Sequence, residues 1–140
     1  MGDLTKNFSR SEFACKGAVC CDHSSPVSRR LVRGLQALRV VVGAPLTITS
    51  GFRCRKHNRK IGGAADSQHT HGTAADIAAP AGWTPADLAR AADALGLFDA
   101  IGVYPDRGFV HVDVRGVRST WGYVAGRLVT YEEGLRYEQK

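Results

Sequence analysis

Ala100-Ile101-Gly102-Val103-Tyr104-Pro105-Asp106-Arg107-Gly108-Phe109-Val110-His111-Val112-Asp113-Val114 is the stretch whose reading decides the fold. Residues 100–104 and 109–114 have the length and β-branched content of strands, and Pro105-Asp106-Arg107-Gly108 between them is a turn sequence. An antiparallel hairpin follows. In its second arm, alternation puts Phe109, His111 and Asp113 on one face and Val110, Val112 and Val114 on the other. Such a strand belongs to a sheet with a core behind it and a polar site in front.

Towards the N-terminus, Thr84-Pro85-Ala86-Asp87 starts a helix whose inner stripe is Leu88, Ala91, Ala92 and Leu95, and Gly96 ends it. Ala74 to Ala79 reads as a short buried strand, and Pro45-Leu46-Thr47-Ile48-Thr49 as another that runs into the turn Ser50-Gly51. The segment Arg53 to Gly72 between them is polar and glycine-rich, a poor core but suited to a site built on loops. Pro26 opens the main packing helix, with Val27, Leu31, Leu35, Leu38 and Val42 at three- and four-residue steps until Gly43. Before it, Cys15 to Ser25 is a loop. Phe8-Ser9-Arg10-Ser11-Glu12-Phe13 starts a short helix with a capping box and a Phe8–Phe13 staple. Past Trp121-Gly122-Tyr123 the polar tail, with Tyr131-Glu132-Glu133-Gly134, is expected as a final strand and a frayed end. The pattern predicts an α+β fold over residues 1–140: one domain with a small, mainly antiparallel sheet, flanked by helices and carrying its site on one face.

Hydrophobic residues make up 44% and charged residues 23%, and no apolar run reaches the ~20 residues of a membrane span, so membrane insertion is not expected. The formal charge of +6 suits polyanionic surroundings such as nucleic acid, acidic lipid or a bacterial wall. A nucleic-acid binder, however, needs a clustered basic stripe interleaved with aromatics, which this chain lacks. Arg29, Arg30, Arg33 and Arg39 read as the solvated side of a helix.

In Ser67-Gln68-His69-Thr70-His71-Gly72-Thr73-Ala74-Ala75-Asp76, a glycine lets the chain turn between an imidazole and a carboxylate, and this spacing can aim both at one point. His111 is the third candidate. Spacing alone leaves two readings, satisfied structural residues or a three-ligand zinc site of two imidazoles and one carboxylate with a fourth position left for water, the arrangement catalytic zinc uses.

Taken together, Ser50-Gly51-Phe52-Arg53-Cys54, His57-Asn58, Gly62-Gly63, Ser67-x-His69-x-x-Gly72-x-Ala74-x-Asp76 and Phe109-Val110-His111-Val112-Asp113 resemble the D-alanyl-D-alanine carboxypeptidase-like zinc peptidases. These include phage endolysins and bacterial murein endopeptidases. The resemblance covers roughly residues 7 to 122, beyond which lies the polar tail. It implies zinc on His69, Asp76 and His111, with Arg53 polarising the scissile carbonyl and Ser67 bonding the substrate backbone. His71 is either solvent-facing or a substrate contact.

Many members of that group place Glu or Asp three residues before the last histidine ligand, where this chain has Gly108. Asp113 is therefore the first expectation for the general base, because it shares a strand face with His111, and Asp106 is the second. The alternative for Asp113 is to orient a ligand or to pair with Arg115 or Arg53.

The implied function is hydrolysis of amide bonds in the peptide stems or cross-bridges of peptidoglycan, by a monomer. The first six residues lack the pattern of a secretory signal. That fits an endolysin made in a host cytoplasm and released to the wall. A non-catalytic zinc-binding module remains the alternative, as in hedgehog signalling domains of similar fold. Cys15, Cys20, Cys21 and Cys54 leave three options open: a disulfide from Cys54 to the N-terminal loop, thiols, or a second zinc on Cys20 or Cys21, His23, Cys54 and His57.

Overall fold

A computed structural model describes residues 2–17, 26–64 and 66–137. Its centre is a six-stranded sheet in the order β1-β2-β4-β3-β5-β6. The strands are β1 (Thr47–Ser50), β2 (Ala74–Ala78), β3 (Ala100–Tyr104), β4 (Phe109–Asp113), β5 (Ser119–Val124) and β6 (Arg127–Val129). Every neighbouring pair is antiparallel except β3 with β5. The α+β architecture is the one expected from sequence, and the hairpin closes where its turn residues stand.

Among the described residues four α-helices accompany the sheet: α1 (Arg29–Val42), α2 (Arg55–Lys60), α3 (Pro85–Leu95) and α4 (Tyr131–Arg136). The apolar stripe of α1, Leu31, Leu35, Leu38 and Val42, is buried in one cluster with Leu88, Ala89 and Ala92 of α3 and with the back face of the sheet. That back face consists of Ala75 and Ile77 of β2, Ile101 and Val103 of β3, and Val110 and Val112 of β4, all without exposed surface. Burying a Val, Leu or Ile side chain contributes roughly 1.5–3 kcal/mol, so this layer fixes which face of each strand looks outward. Phe8 and Phe13 close one end of the core, their rings 6.1 Å apart, and the Glu12 carboxylate accepts the Ser9 N–H at 2.6 Å.

Three readings are corrected. The main helix begins after Ser28, whose hydroxyl accepts the Leu31 N–H, so Pro26 and Val27 precede the helix. A hydroxyl that satisfies a first-turn donor fixes the start more firmly than a proline that only permits one. The polar stretch after Arg53 contains α2, capped by the Cys54 sulfur, which accepts from the His57 N–H at 3.4 Å. With one buried side chain, Asn58, this helix has no apolar stripe to reveal it. Finally, the tail holds β6 and then the helix α4, not a terminal strand. Thr130 caps α4 and Tyr131 and Gly134 are its buried residues. Among the described residues no helix is long and apolar enough to cross a membrane.

Cross-strand register places the site. Asp76 on β2 pairs with His111 on β4, His111 with Gly102 on β3, and Gly102 with Trp121 on β5, so the four form one row across the sheet's front. The Trp121 indole lies over Gly102, and a Cβ there would run into its ring atoms. Gly102→Ala therefore overpacks the centre of the front face. It is expected to lower unfolding stability by about 1–3 kcal/mol, read as a fall in the urea midpoint at unchanged slope.

Candidate metal centre

Each of the three candidate ligands comes from a different element. His69 stands on a 3-10 turn, Gln68–His71, whose preceding Ser67 hydroxyl accepts the His69 N–H at 3.2 Å. Asp76 and His111 stand opposite each other on β2 and β4. The Nε2 of His69 lies 3.3 Å, and the Nδ1 of His111 3.1 Å, from the same Asp76 oxygen. One nitrogen from each imidazole and one carboxylate oxygen lie within 4.8 Å of one another.

The far nitrogens of the two rings decide how this cluster behaves. His69 Nδ1 is 2.7 Å from the Gly51 carbonyl, an obligate acceptor, so that nitrogen carries the hydrogen. His111 Nε2 is 2.7 Å from an Asp113 carboxylate oxygen, which likewise fixes the hydrogen there. In the neutral rings both remaining lone pairs then point at a carboxylate that is itself only an acceptor. Three acceptors facing one point call for a cation. Imidazole nitrogens and carboxylate oxygen in a set of three are zinc's ligand set, and ligating histidines commonly hold a carboxylate or carbonyl on the other nitrogen. The residues fit zinc.

The same groups draw positive charge to that point. Burial pushes the Asp76 carboxyl up, but its close contacts with the His111 and His69 imidazoles outweigh it and hold it far below the usual carboxylate range. Burial pulls His111 down, while Asp113 and Asp76 push it up and win. Asp113 is opposed by burial and lowered by His111 and Arg115, to about 2.

Asp113, the first expectation for the base, has its oxygens engaged behind His111, the alternative named for it. It has no exposed surface, it binds His111 on the nitrogen turned away from Asp76, and its oxygens accept from Arg115 Nε at 2.9 Å and Nη2 at 2.7 Å. Sharing a face with His111 brought it to the ligand's back. Asp106 is also engaged elsewhere: it accepts the Ala125 N–H at 2.9 Å and ties the β3–β4 turn to the β5–β6 turn. Gly108 has φ of 78°, a left-handed conformation that an acidic side chain takes only under strain.

A cleft of about 330 Å³ opens over the cluster, lined by Arg53, Asp66, Ser67, His69, Asp76 and His111, and closed on the far side by Tyr104, Phe109, Arg115 and Trp121. Arg53 is half-buried, its backbone N–H donates to the His69 carbonyl at 2.9 Å, and its Nε has no partner among the described residues. Burial lowers its pKa while Asp76 and Tyr104 raise it, so both act on the guanidinium. His71 is exposed, pairs with Asp66 at 3.0 Å and is not part of the cleft wall.

Sequence reasoning missed Tyr104 and Trp121 as parts of the site and named Arg115 only as an alternative partner for Asp113, which is where the structure places it. Arg115 grips Asp113 and lies 5.4 Å from the Trp121 ring centre, and Trp121 in turn packs 5.1 Å from His111. The Cys54 N–H donates to the Cys15 sulfur at 3.4 Å, and the two cysteines are not bonded to each other. Of the options left open, the structure shows no bridge at Cys54. Cys20, Cys21 and His23, and the second zinc site drawn on them, lie outside the described residues.

Three protein ligands at the floor of an open cleft on a sheet are the build of a hydrolytic metal centre. The family model for peptidase M15 matches residues 6–113, and the chain belongs to that family. It is also similar to the zinc D-Ala-D-Ala carboxypeptidase of Streptomyces albus G, at 46% identity over 46 residues. That alignment takes in 32% of this chain and 18% of the relative, so the chain spans under a fifth of the curated relative it matches.

Two outcomes are expected from this geometry. His69→Ala, Asp76→Ala and His111→Ala each lose the metal, read as zinc per chain by elemental analysis, since two ligands hold zinc poorly. Asp113→Asn keeps the ligand set but loses the carboxylate behind His111, and its zinc affinity, measured by chelator competition, should fall roughly 10–100-fold.

Proposed function

We propose that this protein is a zinc metallopeptidase that hydrolyses amide bonds in the peptide part of bacterial peptidoglycan. The observation that carries the reading is the convergence of His69, Asp76 and His111 at the floor of a cleft with the Arg53 guanidinium on its wall. Membership of the peptidase M15 family and the name of the Streptomyces relative support the substrate class.

Held by the three ligands, zinc supplies an acidified water and a Lewis acid for a carbonyl oxygen. The chain's own residues do the rest. Arg53 faces the scissile carbonyl and holds the negative charge that gathers on its oxygen, a role suited to a fixed cation with forked donors. The proton acceptor is assigned to Asp66, the carboxylate on the cleft wall outside the ligand set, backed by His71 at 3.0 Å. It takes the water's proton as the carbon–oxygen bond forms. It then gives that proton to the amine nitrogen as the carbon–nitrogen bond breaks. Ser67, spent on capping His69 through its hydroxyl, still lines the cleft and offers an edge for the substrate backbone.

We extend the reading to cell-wall degradation by an endolysin, supported by the charge of +6, which aids capture by an anionic wall. Gly108 is the one observation that favours the second reading, a zinc-holding module without turnover.

Digestion of purified peptidoglycan, with the muropeptides read by mass spectrometry, decides between the two. New termini within the stem or cross-bridge are expected, and an unchanged profile at full zinc content would move the non-catalytic module to first place. Arg53→Ala should retain zinc and lose kcat/KM by about 100-fold or more, as for loss of a transition-state donor. Wild-type turnover in that variant would remove Arg53 from the mechanism.

A further inference from the structure

The cleft wall contains a hydrogen-bond donor that the reaction above does not use. Tyr104 ends β3 on the same face as His111, and its hydroxyl oxygen accepts the Trp121 indole N–H at 3.0 Å. An indole nitrogen only donates, so this bond occupies an acceptor position of the phenol and leaves the phenol's own hydrogen unspent. Among the described residues no acceptor for that hydrogen is found, and the ring borders the cleft beside Arg53 and Asp76. Burial raises the Tyr104 pKa, the indole bond lowers it and Asp76 raises it further, with a net rise that keeps the group protonated.

Both partners are held rigidly. The Tyr104 ring stacks on Phe109 at 4.4 Å and 13°, and leans on Tyr123 at 5.7 Å. The Trp121 ring is fixed over Gly102, against His111 and near the Arg115 guanidinium. A phenol whose ring is clamped and whose oxygen is turned by a donor-only partner has its hydrogen aimed in advance. Preorganised aim of this kind is what a donor to developing charge requires.

We propose that Tyr104 is a second hydrogen-bond donor to the scissile carbonyl oxygen, acting with Arg53, and that Trp121 is the positioning residue that turns its hydroxyl into the cleft. No proton is transferred by Tyr104: it donates a hydrogen bond that strengthens as the carbonyl carbon becomes tetrahedral. This rests on the hydrolytic reading of the site.

The test uses the full chain loaded with zinc, a cross-linked muropeptide substrate, and a phosphinate dipeptide whose tetrahedral anion replaces the scissile amide. Tyr104→Phe keeps the ring stack and removes one oxygen. It should hold wild-type zinc and unfolding midpoint, lose kcat on the order of 100-fold with KM within about twofold, and bind the phosphinate more weakly by a comparable factor. Trp121→Phe should fall in the same direction by less, and the double variant should be no worse than Tyr104→Phe, because the indole acts through the phenol. Wild-type kcat and phosphinate affinity in Tyr104→Phe would overturn the donor assignment, and additive losses in the double variant would overturn the positioning role of Trp121. If the wild type cleaved no muropeptide while Tyr104→Phe still weakened phosphinate binding, the donor assignment would stand and the substrate reading would fall.

Discussion

Asp76, His111, Gly102 and Trp121 stand opposite one another on four adjacent strands, and the site exists only while that row stays in register. Because strand side chains alternate with a period of two, a slip of one residue between β2 and β4 would swing the whole polar face into the core. The row is held from behind, where Ala75, Ile77, Val110, Val112, Ile101 and Val103 have no exposed surface. The metal centre is thus a by-product of hydrophobic burial on the opposite side of the sheet: the core pays for the alignment, and the ligands inherit it.

Alignment in the sheet brings the ligands near one another, but a second set of partners chooses which atoms meet. Gly51 and Asp113 each engage the nitrogen that is not needed, and Asp113 is engaged in turn. Asp113 is gripped by Arg115, so a buried carboxylate with a neutral partner ahead of it has its charge balanced from the rear. An isolated carboxylate with no exposed surface would be costly, and removing Arg115 would leave that cost uncompensated. The line Arg115–Asp113–His111 carries orientation from the loop after β4 to the centre of the cleft.

Much of this was legible in the sequence, for reasons that differ by residue. Period-two alternation in residues 109–113 and the turn residues before them fix β4 and its faces, and the imidazole–carboxylate spacing marks His69 and Asp76. The start and end signals at Thr84 and Gly96 bracket α3 because local capping chemistry settles both ends. What stayed hidden depends on non-local pairing. The β3–β5 pair is parallel and is separated by β4 in sequence, so no local pattern says that Trp121 will lie over Gly102 and reach Tyr104. Alternation placed Asp113 on the face of His111 but left its partners open, since alternation gives a direction and not a distance. The helix α4 follows a three-residue strand in a polar segment, and its capping threonine, Thr130, was the local signal available there.

The left-handed turn at Gly108 also bears on how such a site can change over time. The turn needs a residue that tolerates φ of 78°, and the β3–β4 hairpin, with the Ala79 N–H bonded to the Gly108 carbonyl, is built around it. A side chain placed there would carry backbone strain, at most about 1–2 kcal/mol and least for Asp, before it contributed anything to proton transfer. For a descendant of this chain, gaining a carboxylate three residues before His111 would mean rebuilding the loop's length or handedness. Changes on the opposite rim, at Asp66, meet no such backbone barrier, because its side chain is exposed to solvent. The hairpin therefore channels variation in acid–base chemistry to one side of the cleft and shelters the other.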